Sequence, residues 1–466
     1  MAVNFKRSMG FPVGTISPRE TPVVTLAIIA VNIAVYAITC YENFFIEVSD
    51  YWVSLGGFIP ASIVSLPQWY RLFTSMFLHA DFFHILFNMY FLYLFGKAVE
   101  NVLGGLKFSA LYFASGVVAS IFHTTFSFLG GSTGYLVPAI GASGAISGVL
   151  GAYLILYPGT SLMMGWGFFP FPLIFRMKAA YYLIFWFATQ VVYGYARAAG
   201  STAVFAHAGG FVAGIALLPA LASKDKINQL RLARSLSLPL YTTFTHIRIE
   251  GLSRVTKAVV AALLASLLAG AAYASVGLAD QGRIKSATIQ YACEGKPYMA
   301  YVGLQLPNIE SDLSSISLDT TRILLTRLYL TGFLYDEAKA NGKVEVSEQR
   351  FKVPLNLGVK TLNVNVELAN FKGEYDSDGF LTKGEGTLKT QVVVIYSYGA
   401  VLDGLISYDF RLNSKTVNLT HVSQYTAVPS LIAAAAALIV AVRKDSDLAL
   451  VGEESEATRR YYGIYV

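Results

Sequence analysis

Three polar elements interrupt an otherwise apolar sequence, and their residue types are those of nucleophilic catalysis. His84 and Asn88 stand four apart within QWYRLFTSMFLHADFFHILFNMYFLYLFGKAVE (68–100), so a helix places both on one face. Ser143 lies in Gly141-Ala142-Ser143-Gly144, near the start of the apolar stretch PAIGASGAISGVLGAYLILYP (138–158). His207 belongs to FAHAGGFVAGIAL (205–217), where Gly210 and Gly214 follow on the same helical stripe. Taken singly, each has a plain packing explanation: small residues let helices approach, and a histidine or asparagine ties helices together. Taken together they describe an acyl-transfer site. A serine hydroxyl is a weak nucleophile until a base takes its proton, and histidine is the usual base. Ser143 also falls just after Pro138, at the start of its helix, where free N–H groups and the positive end of the helix dipole favour an oxyanion. His84 and Asn88 supply further donors.

The elements that must position these groups are membrane helices. The 466-residue chain is 55% hydrophobic and 14% charged, with apolar runs near the length that crosses a bilayer. The expected spans are 22–40, 83–103, 106–130, 140–158, 178–198, 202–222, 256–278 and 426–442. Gly148, Gly151, Gly210 and Gly214 read as packing positions that bring the fourth and sixth spans together. No small-residue cleavage site follows the first run, so it reads as a retained span. Between the sixth and seventh spans Lys224, Lys226, Arg231, Arg234, Arg248, Arg254 and Lys257 face only Asp225 and Glu250. That excess marks the segment, and with it both termini, as cytoplasmic. The net charge of +6 is a topology signal and an attraction to the lipid bilayer, with no nucleic-acid partner implied. Cys40 and Cys293 are the only cysteines, carry no motif and read as unpaired.

From 279 to 425 the pattern changes to period-2 segments such as KVEVSEQRFKV, TLNVNVELANF and LKTQVVVIYSY, with turn-like ANGK and YDSDGF between them. This is an extracytoplasmic β-rich domain, and Asn418-Leu419-Thr420 is a glycosylation sequon on that side. The organisation expected is a cytoplasmic segment (1–21), a six-helix core (22–222), a basic linker (223–255), a seventh helix (256–278), the β domain (279–425), an eighth helix (426–442) and a cytoplasmic tail (443–466). The fold class is thus a polytopic α-helical membrane protein with a soluble mainly-β domain. Absence of a long presequence favours the plasma membrane.

RLFTSMFLHADFFHILFNMYFLYLFGKAVE with its HxxxN element, the GASG serine motif and AHAGGFVAG together resemble the rhomboid family of intramembrane serine proteases, over about residues 20–222. The resemblance implies a six-helix core with Ser143 as nucleophile, His207 as general base, and His84, Asn88 and the Ser143 backbone amide as oxyanion hole. It implies transmembrane protein substrates, no metal and no cofactor. Trp69, Tyr70 and Arg71 are similar to a WR-like element of the first loop (about 41–81), and Arg71 and Glu100 are implied structural anchors. One position departs: some members carry a tyrosine four residues after the nucleophile, packed on the histidine, whereas Ser147 stands here. Orientation of His207 must come from another group, with His123 and neighbouring tyrosines as the candidates. The fifth span, GWGFFPFP (165–172) before it, and the loop 196–202 are the expected mobile elements. The alternative to a protease is a non-catalytic relative that binds client transmembrane segments, and a third reading makes His84, His123 and His207 a proton path. Substrates, oligomeric state and the role of the β domain are not encoded in any motif.

Overall fold

The computed structural model describes residues 11–14, 21–168, 171–200, 202–236, 251–277, 280–304, 309–330, 342–356, 361–377, 380–396 and 399–453. Parts of the basic linker, the GWGFFPFP and 196–202 segments, the ANGK and YDSDGF turns and the tail lie outside these residues. The chain divides into two units: Met1–Val48, Phe58–Asp280 and Thr420–Val466 form the first, Ser49–Gly57 and Gln281–Leu419 the second.

The first unit is a helical membrane core. Its helices are α1 (Val23–Thr39), α2 (Phe82–Leu103), α3 (Gly105–Phe126), α4 (Ser143–Leu156), α5 (Ala179–Tyr195), α6 (Val204–Leu221), α7 (Arg254–Val276) and α8 (Leu419–Ile439). Among the described residues five stretches, containing α2, α3, α6, α7 and α8, are long and apolar enough to cross a membrane; α1 and α4 are shorter apolar helices. In lipid a helix keeps its backbone hydrogen bonds within itself, but its ends need partners. The Glu100 carboxylate serves the start of α1, accepting from Val24 N at 2.9 Å, Thr25 N at 2.8 Å and Thr25 Oγ1 at 2.6 Å. Asp81 caps α2 by accepting from His84 N at 2.8 Å. At the far end of α4, Leu450 N donates to Leu156 O at 2.7 Å, and Asp445 pairs with Lys257 at 2.8 Å and accepts from Leu252 N at 2.7 Å.

Helix α4 is the axis of this unit, buried at every residue from Gly144 to Leu156. It lies against α6 at backbone distance: a Cβ on Gly210 would collide with Gly144 O, and one on Gly214 with Gly148 O. Only glycine permits that approach, which carries the Ser143 and His207 ends of the two helices together.

In this unit two features lie outside the sequence reading. Helix α8 starts at Leu419 rather than 426, because the polar residues of its first turns have partners that a hydropathy pattern does not register. Ser423 Oγ meets the Tyr135 hydroxyl at 2.5 Å and donates to Thr125 O at 3.2 Å, while Ser430 Oγ meets Thr125 Oγ1 at 2.9 Å. Residues Ser161–Phe168 and Phe171–Lys178, which take in part of the 165–172 segment before the fifth span, pair as antiparallel strands, with Phe11–Gly14 alongside.

The second unit is a six-stranded antiparallel sheet. Its strands are β1 (Arg283–Cys293), β2 (Lys296–Leu304), β3 (Lys343–Asn356), β4 (Thr361–Tyr375), β5 (Leu381–Tyr396) and β6 (Gly399–Asn418), in the order β2-β1-β6-β5-β4-β3. Alternation gives the sheet a buried face, on which Val364, Val366, Leu368, Leu388 and Leu412 pack. The helix Asp319–Leu330, absent from the sequence reading, covers that core through Leu324, Leu325 and Leu328. These leucines recur at helical spacing, a signal hidden beneath the polar DTTR that opens the element. Tyr291 of β1 anchors it by hydrogen bonds with Thr320 Oγ1 at 2.6 Å and Thr321 Oγ1 at 2.8 Å. The short helix Asp50–Gly56 belongs to this unit, with Tyr51 donating to Pro297 O at 3.1 Å. Cys40 and Cys293 are buried free thiols.

Candidate active site

Ser143 is the first residue of α4, and the turn before it decides where its hydroxyl points. Gly141 holds φ at +120°, a conformation that favours glycine, and its N–H donates to Ser75 O at 2.8 Å. The Ser143 Oγ stands 2.8 Å from His207 Nε2, so the two residues expected to act as nucleophile and base are in hydrogen-bond contact. The first amides of α4 have no acceptor within their own helix and sit at its positive end.

The other nitrogen of His207 is held by a residue that the sequence reading missed. Nδ1 is 2.9 Å from Gln190 Oε1, on α5, and the Trp186 ring one turn earlier lies 5.9 Å from the imidazole centroid. The Ser147 hydroxyl donates to Ser143 O at 2.6 Å within α4. The hydrogen-bond partner of His207 Nδ1 is thus Gln190, where the sequence reading named His123 and neighbouring tyrosines as candidates. The signal was present: Gln190 is the only side-chain carboxamide in AAYYLIFWFATQVVYGY, and such a group inside a span must be satisfied or used.

His84 and Asn88 enter from the first turns of α2. Ala80 N–H donates to His84 Nδ1 at 3.2 Å, so the neutral ring carries its proton on Nε2. That Nε2 lies only 2.7 Å from where a Cβ on Gly141 would sit, and Ser143 Oγ lies 3.7 Å from the same point. His84 Nε2 thus sits beside the serine turn. Asn88 spends one N–H on His84 O at 2.8 Å and lines the same cavity as Ser143 and His207. His79, also missed, backs the site: its Nε2 accepts from Ala142 N at 3.4 Å and its ring packs edge-on against His84 at 5.1 Å. Burial, with His84 beside it, pushes His79 down to about 3, which keeps it neutral.

These groups surround a cavity of about 880 Å³. Phe83 and Phe87 of α2, Trp186 of α5, and Pro138 to Ile140 form its walls; Asp81 and Arg197 also line it. A carbonyl seated there would meet a hydroxyl whose proton has an acceptor and an N–H donor across from it, the two needs of acyl transfer. Arg71 and Glu100 lie apart from this chemistry. Arg71 is buried and donates from Nε to Gln68 Oε1 at 2.7 Å, and Glu100 caps α1. Among the described residues no cluster of His, Cys, Asp and Glu could hold a metal ion.

The rhomboid domain family matches residues 66–224. Over 93 residues the chain is 38% identical to the putative rhomboid protease YdcA of Bacillus subtilis, covering 20% of this chain and 44% of that protein. It is 32% identical over 163 residues to RHOMBOID-like protein 1 of Arabidopsis thaliana, 35% of this chain and 37% of that one. With rhomboid protease AarA of Providencia stuartii it shares 32% over 142 residues, 28% of this chain and 50% of that one. The chain spans half or less of the length of these relatives.

Proposed function

We propose that the chain, a rhomboid family member by its match at residues 66–224, is an intramembrane serine protease that hydrolyses peptide bonds in or near the transmembrane helices of other membrane proteins. The observation that carries this reading is the 2.8 Å contact between Ser143 Oγ and His207 Nε2 at the glycine-built junction of two buried helices. Relatives named as rhomboid proteases are similar to part of the chain.

In the proposed reaction Ser143 Oγ attacks the scissile carbonyl as His207 Nε2 takes its proton. The oxyanion is held by His84 Nε2–H, the Asn88 amide and the Ser143 backbone N–H. His207 returns the proton to the leaving amine, and a water then resolves the ester with His207 again as base. A helical substrate hides its carbonyls in internal hydrogen bonds, so substrates are single-span proteins whose helices are weakened by glycine or other small residues near the outer face. The architecture proposed is a six-helix core with two further spans carrying the β domain outside, both termini cytoplasmic, in the plasma membrane.

The test is reconstitution of the full chain in liposomes with single-span reporters bearing Gly and Ala near the outer end of the helix. Product released by the wild type and by neither Ser143→Ala nor His207→Ala supports the reading. Equal product from all three proteins contradicts it. Client capture without product, from a wild type in which Ser143 is also inert to serine-directed probes, favours a client-binding role.

A further inference from the structure

Gln190 is almost wholly buried in an apolar helix, at 9% exposure, and every polar atom of its side chain is engaged. Nε2 donates to Thr189 Oγ1 at 3.1 Å and Trp186 O at 3.4 Å, and Thr189 Oγ1 donates to Trp186 O at 2.6 Å. With its oxygen turned to that side, the amide would face a carbonyl and a hydroxyl whose proton is already committed. The amide is therefore fixed with Oε1 toward His207 Nδ1, 2.9 Å away. A carbonyl oxygen only accepts, so Nδ1 must carry the imidazole proton, and the bare nitrogen of the neutral ring is Nε2, the one facing Ser143.

Resting on the serine-protease reading, we infer that Gln190 is the positioning residue of His207: it selects the tautomer in which Nε2 is the base and holds the ring against Ser143. This is the task a carboxylate performs in serine proteases of the triad type, done by a neutral amide that adds no buried charge. Gln190 stands on α5, whereas Ser143 and His207 stand on α4 and α6, so a displacement of α5 that breaks this bond disarms the base. The same helix supplies the Trp186 ring over the imidazole, and Phe187 stacks on Phe211 of α6 at 4.5 Å to hold the two helices together. Among the described residues, the titratable groups that act on His207 are His84 of α2 and His123 of α3, and Asp81 and Arg197 line the same cavity.

The experiment measures the second-order rate of fluorophosphonate labelling of the full chain in detergent across pH, for wild type, Gln190→Leu and Gln190→Glu. Leucine keeps the volume and removes the acceptor; the labelling rate is expected to fall roughly tenfold to a hundredfold, with probe affinity unchanged. Glutamate restores an acceptor and adds a charge that favours the imidazolium, so labelling returns and its acid limb moves about one pH unit or more upward. A packing role alone predicts the same loss for both variants and no movement of the limb. Wild-type labelling in Gln190→Leu, or an unmoved limb in Gln190→Glu, overturns the inference, and the glutamate result decides even where the leucine variant does not fold. If the wild type shows no Ser143-dependent labelling, the protease reading fails and this inference with it; if it does and Gln190→Leu matches it, this inference alone fails.

Discussion

Replacing Gly141 by alanine isolates the contribution of the serine turn. At φ +120° a Cβ is strained, which costs about 1–3 kcal/mol of stability. The same methyl would sit 2.7 Å from His84 Nε2 and 2.9 Å from its Cε1. Ordinary van der Waals contact begins at 3.4 Å, so the ring must withdraw by about 0.7 Å. In the proposed mechanism that withdrawal takes the His84 N–H away from the developing oxyanion. Loss of one such donor costs about 10²–10³ in rate, or about 3–4 kcal/mol of transition-state stabilisation. The assay is the rate of covalent labelling of Ser143 by a fluorophosphonate, whose phosphonyl oxygen occupies the oxyanion position, with thermal unfolding recorded in parallel. Because the methyl acts through His84, the losses in Gly141→Ala and His84→Ala are expected to be non-additive, the double variant reacting about as slowly as the slower single one. Labelling of Gly141→Ala at the wild-type rate, or fully additive losses, would refute the reasoning.

Glu100→Ala strands the amides of Val24 and Thr25 and the Thr25 hydroxyl at the start of α1, and about 3 kcal/mol of stability is expected to go with it. Glu100→Gln, which keeps one carbonyl oxygen, loses less; an alanine variant that melts with the wild type contradicts the capping role. In the β unit, burial pushes Tyr291 from 10.0 up to about 12. The native state thus favours the protonated phenol, and its contribution to stability is complete below pH 10 and disappears as pH rises through about 12. Tyrosinate absorbance of the native chain should show a late step to which Tyr291 contributes one phenol, and Tyr291→Phe should shrink that step while costing about 1–2 kcal/mol through its lost bonds to Thr320 and Thr321.

The residues of the site were legible because expensive groups advertise themselves: Ser143, His207, His84 and Asn88 are polar in apolar runs, and glycines flank the serine and follow the histidine. Their meeting was legible too, since Gly144, Gly148, Gly210 and Gly214 leave α4 and α6 no bulk to keep them apart. Gln190 carried the same mark of cost and was passed over, because Ser147 directed attention to rings that could replace a tyrosine. His79 was hidden for a different reason. Its role is to accept from Ala142 N, a backbone contact between distant residues that spacing does not reveal. The start of α8 was misplaced because Ser423 looks like a loop residue until the Tyr135 hydroxyl and Thr125 O are set opposite it. The helix Asp319–Leu330 was missed because its leucines serve a sheet assembled from strands on both sides of it in sequence.

The central claim is that His207 activates Ser143, and it can be tested without knowing a substrate. The full chain in detergent is treated with a fluorophosphonate, digested, and the modified residue identified by mass spectrometry in wild type and His207→Ala. The account predicts the adduct on Ser143 in the wild type and its loss in His207→Ala. An unmodified Ser143 in folded wild type, or equal modification without His207, would contradict it.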